Sequence, residues 1–172
     1  MLAPNNYTLD HYFINSIAWR ADWENIFSTP KIRKQAMEDL DSTVRDKIDA
    51  MFIEAKGKLN AGDASGAVQG AETAWKTLPE PKFGWDVSKS YTHALAKIHR
   101  DTGSFPNAIS LINELFASGT VKPHQDGPRF LMGTIYFEMD DLENSIKWFR
   151  EADQISKGRC FQGEDKKYHE FY

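Results

Sequence analysis

The residues of this chain whose types could do chemistry are few: five histidines, one cysteine and two acidic clusters. The histidines are His11, His93, His99, His124 and His169. His93 and His99 lie six positions apart, so a helix turning about 100° per residue points them well away from each other. A helical zinc site instead places its histidines one turn apart. Cys160 follows Arg159, and a cationic neighbour favours the reactive thiolate. A lone thiol in an apolar tail is nevertheless expected to pack rather than react. One cysteine also excludes an internal disulfide and a cysteine-based zinc site. Asp140-Asp141-Leu142-Glu143 has the composition of a metal loop, but it falls between two helical patterns, where Asp141 is placed to cap the second. Glu164-Asp165 reads the same way. Phosphate-binding loops, dinucleotide glycine motifs and nucleophile elbows are missing from the sequence. The expectation is a chain with no catalytic residues, no metal and no cofactor.

Recognition is the remaining class of function, and composition narrows it. A net charge of -4 over 172 residues argues against general nucleic-acid binding. Charged residues at 27% and hydrophobic ones at 41% are ordinary for a folded domain. The apolar run around Tyr12–Ile14 is broken at Asn15 and Ser16, which fits neither a secretory segment nor a membrane span. The expected location is the cytoplasm, which a single cysteine also suits.

The elements that would position a recognition surface are helices throughout. Leu9, Phe13, Ile17, Trp19, Trp23, Ile26 and Phe27 recur at helical intervals. Thr29-Pro30 then opens a second N-terminal helix through Ile32, Ala36, Met37 and Leu40. Asp41-Ser42-Thr43 reads as a break or cap, with one continuous long helix as the alternative. Residues 1–43 form a helical extension that is expected to pack against the first repeat and cap it. Its aromatic residues Tyr7, Tyr12, Phe13, Trp19, Trp23 and Phe27 offer a second docking face.

From Val44 the pattern repeats. Val44, Ile48, Met51, Phe52, Ala55 and Leu59 mark one helix, ended by Gly62-Asp63. Ala67, Ala71, Ala74, Trp75 and Leu78 mark the next, stopped by Pro79 and Pro81. Tyr91, Leu95, Ala96 and Ile98 pair across Gly103 with Ala108, Ile109, Ile112, Leu115 and Phe116. Within Asp126–Arg159, Gly133, Tyr136, Phe149 and Ala152 fall at tetratricopeptide spacing. The equivalent small residues Ala67, Ala108 and Ser145 are 41 and 37 residues apart, against a repeat of about 34. The excess falls in the linkers. The predicted fold is all-α, a tetratricopeptide-like right-handed superhelix of helix-turn-helix repeats. Residues 44–159 hold three degenerate repeats, and residues 160–172 form a C-terminal cap with Phe161, Tyr168 and Phe171 over the last repeat.

From about Ile48 onward the chain resembles small bacterial tetratricopeptide-repeat-like proteins of the kind found beside polymorphic toxins. The resemblance is carried by LPEPK (Leu78–Lys82) followed by Trp85-Asp86, by FLMGTIYFEMDDLENSIKWF, and by the tail GRCFQGEDKKY. It implies protein binding without catalysis, and most concretely an immunity protein that neutralises a cognate bacterial toxin domain. A general adaptor or chaperone-like scaffold is the alternative. The Lys and Asn positions of the two-carboxylate clamp, known in chaperone-binding members, are absent, so capture of chaperone C-termini is not implied.

In stacked helix pairs the first helices line the partner-binding face. The register places Phe52, His93 and Phe130 in one row and Lys56, Lys97 and Thr134 in the next, with Arg100 one turn beyond Lys97. These seven residues are the predicted partner-binding surface. Lys56, Lys97 and Arg100 would form a basic strip beside aromatic rings, suited to an acidic partner.

Overall fold

The computed structural model describes residues 37–172. The helices expected over Leu9–Phe27 and after Pro30, with their aromatic side chains, lie outside the described residues. Among those described there are seven α-helices. They are α1 (Ser42–Asn60), α2 (Ala64–Thr77), α3 (Ser88–Asp101), α4 (Phe105–Ala117), α5 (Gly127–Glu138), α6 (Leu142–Ser156) and α7 (Lys166–Phe171). Short 3-10 turns at Lys82–Gly84 and Arg159–Phe161 complete the set. The described part of the chain is therefore all-helical, with one isolated bridge between Glu38 and Trp85.

Side-chain caps explain where most helices begin. Asp41 accepts from the amides of Thr43 and Val44 at 3.0 and 3.2 Å, starting α1 at Ser42. Asp63 accepts from Gly66 N at 2.8 Å, Asp141 from Asn144 N at 3.2 Å, and Asp165 from Lys167 N at 3.1 Å. Each satisfies an amide that the first helical turn leaves unpaired. The predicted helix through Met37 and Leu40 is corrected here, since residues 37–41 are not helical. Their backbone groups are engaged elsewhere: Glu38 N donates to Gly84 O at 2.8 Å, and Glu38 O accepts from Asp86 N at 2.9 Å.

Three successive turns share one hydrogen-bond pattern. Asp63, Ser104 and Asp141 donate their amides to the carbonyls of Lys58, His99 and Tyr136, at 2.9, 2.7 and 3.0 Å. One residue earlier, Gly62, Gly103 and Asp140 donate to Leu59, Arg100 and Phe137, each at 3.0 Å. This is the Schellman ending, in which the residue closing the helix turns left-handed. Gly62 and Gly103 take φ of 85° and 75° there without steric cost, whereas Asp140 holds φ 63° with a side chain. Asp140→Gly is expected to raise unfolding free energy by about 0.5–1 kcal/mol, read as a higher urea midpoint at unchanged slope.

The same register recurs in the second helix of each pair. Ala67, Ala108 and Ser145 are each the fourth residue of their helix and each is fully buried. Only a small side chain fits where paired helices approach. Ser145 keeps its hydroxyl satisfied by donating to Gly133 O at 2.9 Å. Opposite, a Cβ placed on Gly133 would stand 2.5 Å from Phe149 Cδ1, so the glycine makes room for that ring.

The linkers carry the distinctive motifs as architecture. Pro79 and Pro81 end α2, and Lys82 Nζ donates to the carbonyls of Leu78 and, at 3.2 Å, Lys76. Trp85 Nε1 donates to Pro79 O at 2.9 Å. Asp86 accepts from Leu40 N at 3.2 Å and from Arg45 at 2.9 Å, tying the start of α1 to the linker. At the other end, Lys157 and Gly158 turn left-handed and redirect the chain after α6. Phe161, Tyr168 and Phe171 then pack against Phe130, Phe137 and Phe149 as a second, aromatic core.

Candidate partner-binding surface

Helix α3 contacts both α1 and α5, so the first helices of the three pairs are neighbours, and their side chains form the candidate surface. Phe52 on α1 is buried and stacks on Tyr91 of α3, with ring centroids 5.3 Å apart. The Tyr91 hydroxyl donates to Asp49 Oδ1 at 2.8 Å. Burial and that carboxylate both push the tyrosine's pKa far up, so it acts as a fixed donor. Lys56 is exposed, while His93 and Lys97 are half-buried.

The rest of the predicted surface is not open to a partner. Phe130 is 5% exposed and lies under Phe161 and Tyr168, at centroid distances of 5.3 and 6.1 Å. Thr134 is fully buried; its hydroxyl accepts from Arg100 Nη1 at 2.9 Å and donates to Leu131 O at 2.8 Å. Arg100 is itself 8% exposed, with Nε and Nη2 on Asp101 Oδ1 at 2.8 and 2.7 Å. Its guanidinium carbon also lies 5.9 Å from the Tyr168 ring centroid. Phe52, Arg100, Phe130 and Thr134 are thus corrected from surface to interior positions. Helical period identifies the face, but here the chain itself covers much of that face.

Over Phe130 and Arg100 the cover is the tail. Lys97 Nζ pairs with Glu164 at 3.3 Å. Glu138 on α5 accepts from Tyr168 OH at 2.6 Å and from Lys167 Nζ at 2.7 Å. Burial raises the Glu138 carboxyl, but those two donors and the nearby positive charges outweigh it and bring its pKa below the usual value. Two of the three cations of the expected basic strip are therefore paired, Lys97 with Glu164 and Arg100 with Asp101, while Lys56 stays exposed. Between the tail and α3–α5 runs a cleft of about 450 Å³ that includes Arg100, Asp101, Glu138, Glu164, Lys167 and Tyr168. Glu164, Tyr168 and Glu138 escaped the sequence reading as surface-forming residues. The four-residue spacing of Glu164 and Tyr168, acid before aromatic, was the available signal.

His93 sits beside this cluster. Burial lowers its pKa to about 4, with Lys97 and Arg100 adding to the drop and Glu164 opposing it. His99 is buried and lowered for the same first reason. Its Nε2 is 3.9 Å from Glu72, and its Nδ1 has no partner among the described residues. Both rings are neutral in the folded state at neutral pH, so neither supplies positive charge to the surface. Because their folded pKa values lie below the unfolded value, their stabilising contribution is complete above pH 6.5 and declines as pH falls below it, for His93 towards about 4. For His93 the shift alone would give roughly 3 kcal/mol, and solvent access reduces this to about 1–2. Urea midpoints between pH 7 and 4 should fall accordingly, and His93→Gln should flatten part of that slope.

The remaining chemically able residues have structural surroundings. Cys160 is half-buried, and burial raises its thiol rather than Arg159 lowering it. Asp141 caps α6 and also accepts from Asn144 Nδ2 at 2.7 Å. Among the described residues, three or more His, Cys, Asp or Glu side chains nowhere gather to hold a metal ion. No helix among them is long and apolar enough to cross a membrane. Compared with known proteins, the chain matches no family model, no curated protein and no solved structure.

Proposed function

We propose that this chain is a non-catalytic protein-binding module built on tetratricopeptide-like repeats. In its most specific form it is a cytoplasmic immunity protein that neutralises a cognate bacterial toxin by direct binding. The observation that carries the binding-module reading is the threefold recurrence of one turn geometry and one small-residue register. Such units have side chains of their first helices in line across neighbouring pairs, the arrangement that repeat proteins use to hold a partner. The toxin as partner rests on the resemblance of the Leu78–Asp86 and Gly158–Tyr168 motifs. Lys56, His93 and Lys97, the accessible part of the predicted surface, are the residues proposed to meet it.

The test is co-expression with the products of adjacent reading frames, scored for complex formation and for rescue from toxicity. Rescue with a stable complex supports the immunity reading. A complex without rescue favours the adaptor, and neither result removes both. In a complex, Lys56→Glu with Lys97→Glu is expected to weaken binding at least tenfold, while the free chain's melting temperature changes by only a few degrees. Unchanged affinity at matched salt would place the contact elsewhere.

A further inference from the structure

We infer that the C-terminal segment, Arg159–Tyr172, occupies part of the partner-binding surface in cis. It thereby shows the chemistry of the segment that can replace it: a protein segment with a carboxylate four residues before a tyrosine and a further aromatic three or four residues after. This deepens the protein-binding reading and rests on it.

Three observations converge. First, the positions that the repeat assigns to the partner face, Lys97, Arg100 and Phe130, are those the tail touches. Glu164 meets Lys97 at 3.3 Å, Tyr168 lies over Arg100, and Tyr168 and Phe161 meet the Phe130 ring edge-on. Second, the two sides of the tail differ. Against α6 and the aromatic face of α5 it is apolar, with Phe137 and Phe171 centroids 5.0 Å apart and Phe149 and Phe161 5.4 Å apart. Towards α3 and Glu138 at the end of α5 it is polar and borders the open cleft of about 450 Å³. Third, the segment comes after two consecutive left-handed residues, Lys157 and Gly158, and Lys157 carries a side chain in that conformation.

The aromatic side dictates what a competitor must bring. Displacing the tail exposes Phe130, Phe137 and Phe149 together, so only a segment that covers them again can take its place. Tyr168 OH on Glu138 and Glu164 on Lys97 set the register of that segment. A tethered occupant has a high effective concentration, so the tail also sets a threshold that weak partners fail to cross.

The test uses the full chain. In amide hydrogen exchange, tail amides around Tyr168–Tyr172 should open with a smaller free energy than the amides of α5 and α6. A fluorescent peptide of residues 159–172 should bind the full-chain variant Glu164→Ala/Tyr168→Ala at least tenfold more tightly than the unaltered chain. A peptide carrying Tyr168→Ala should bind neither. Exchange of the tail only through global unfolding would overturn the inference. So would a folded variant that fails to bind the peptide, or loss of the cooperative melt in the variant, because the tail would then be part of the fold itself. Failure of toxin rescue leaves these readouts unaffected, so the two proposals fail separately.

Discussion

Phe149→Ala is expected to lower unfolding free energy by about 3–5 kcal/mol, roughly 10–15 °C in melting temperature. Phe149 has no exposure and stands at the centre of the second core. Its ring centroid lies 5.3 Å from Phe130, 5.4 Å from Phe161, 6.0 Å from Tyr168 and 6.2 Å from Tyr172. Those neighbours come from α5 and the tail, so truncation removes the contact that joins the last helix pair to its cover. A double-mutant cycle sharpens the prediction. Gly133→Ala gains about 1 kcal/mol in helix propensity, but its Cβ would stand 2.5 Å from the Phe149 ring. Overpacking costs about 1–3 kcal/mol, so the single change should destabilise. In the Phe149→Ala background the ring is gone, and Gly133→Ala should become neutral or stabilising. Additive effects, or a loss below 1 kcal/mol for Phe149→Ala, would show that the ring does not hold this junction.

Arg100→Glu is expected to cost about 3–5 kcal/mol, whereas Lys97→Glu should cost no more than about 1 kcal/mol. The two cations lie one helical turn apart, and burial separates them. The Lys97–Glu164 pair has side chains 35% and 31% exposed, so water screens it. Arg100 instead has its guanidinium enclosed against Asp101, Thr134 and the Tyr168 ring. A glutamate there would set an enclosed carboxylate beside that of Asp101 and near Glu138, with Thr134 losing its donor. Arg100→Met, which keeps the stem and omits the charge, should cost less than Arg100→Glu. Chemical denaturation of the three variants at pH 7 decides the matter. Equal losses for Lys97→Glu and Arg100→Glu would mean that both side chains are solvated. The separation also has a practical use, since charge reversal for binding assays belongs at Lys56 and Lys97.

Local sequence specified much of the framework. Asp63, Asp141 and Asp165 are helix caps because a carboxylate before a helical run meets unpaired amides whatever lies beyond. Gly62 and Gly103 close their helices because a left-handed residue is cheapest without a Cβ. Ala67, Ala108, Ser145 and Gly133 are small because the helical period repeatedly brings them to a close approach. These are short-range constraints, and periodicity reports them.

Tertiary structure decided which of the outward-facing residues remain accessible. Lys97 finds Glu164 67 residues later, and Arg100 finds Thr134 34 residues later. The first pairing is implied by no helical repeat, because the tail's return after Lys157 and Gly158 belongs to none, and the second buries an arginine between two first helices that the repeat only brings near each other. Met37–Leu40 went the same way: a helical pattern was overruled when the linker at Gly84–Asp86 took its backbone groups. From Ser42 onward, the sequence by itself determined the helices and the turns that join each pair. Folding of the tail across the face of the first helices encloses Phe130 and Arg100, Thr134 lies beneath Arg100, and Lys56, His93 and Lys97 remain accessible. The physical reason is that exposure depends on every segment packed against a residue, while periodicity describes only the helix that carries it.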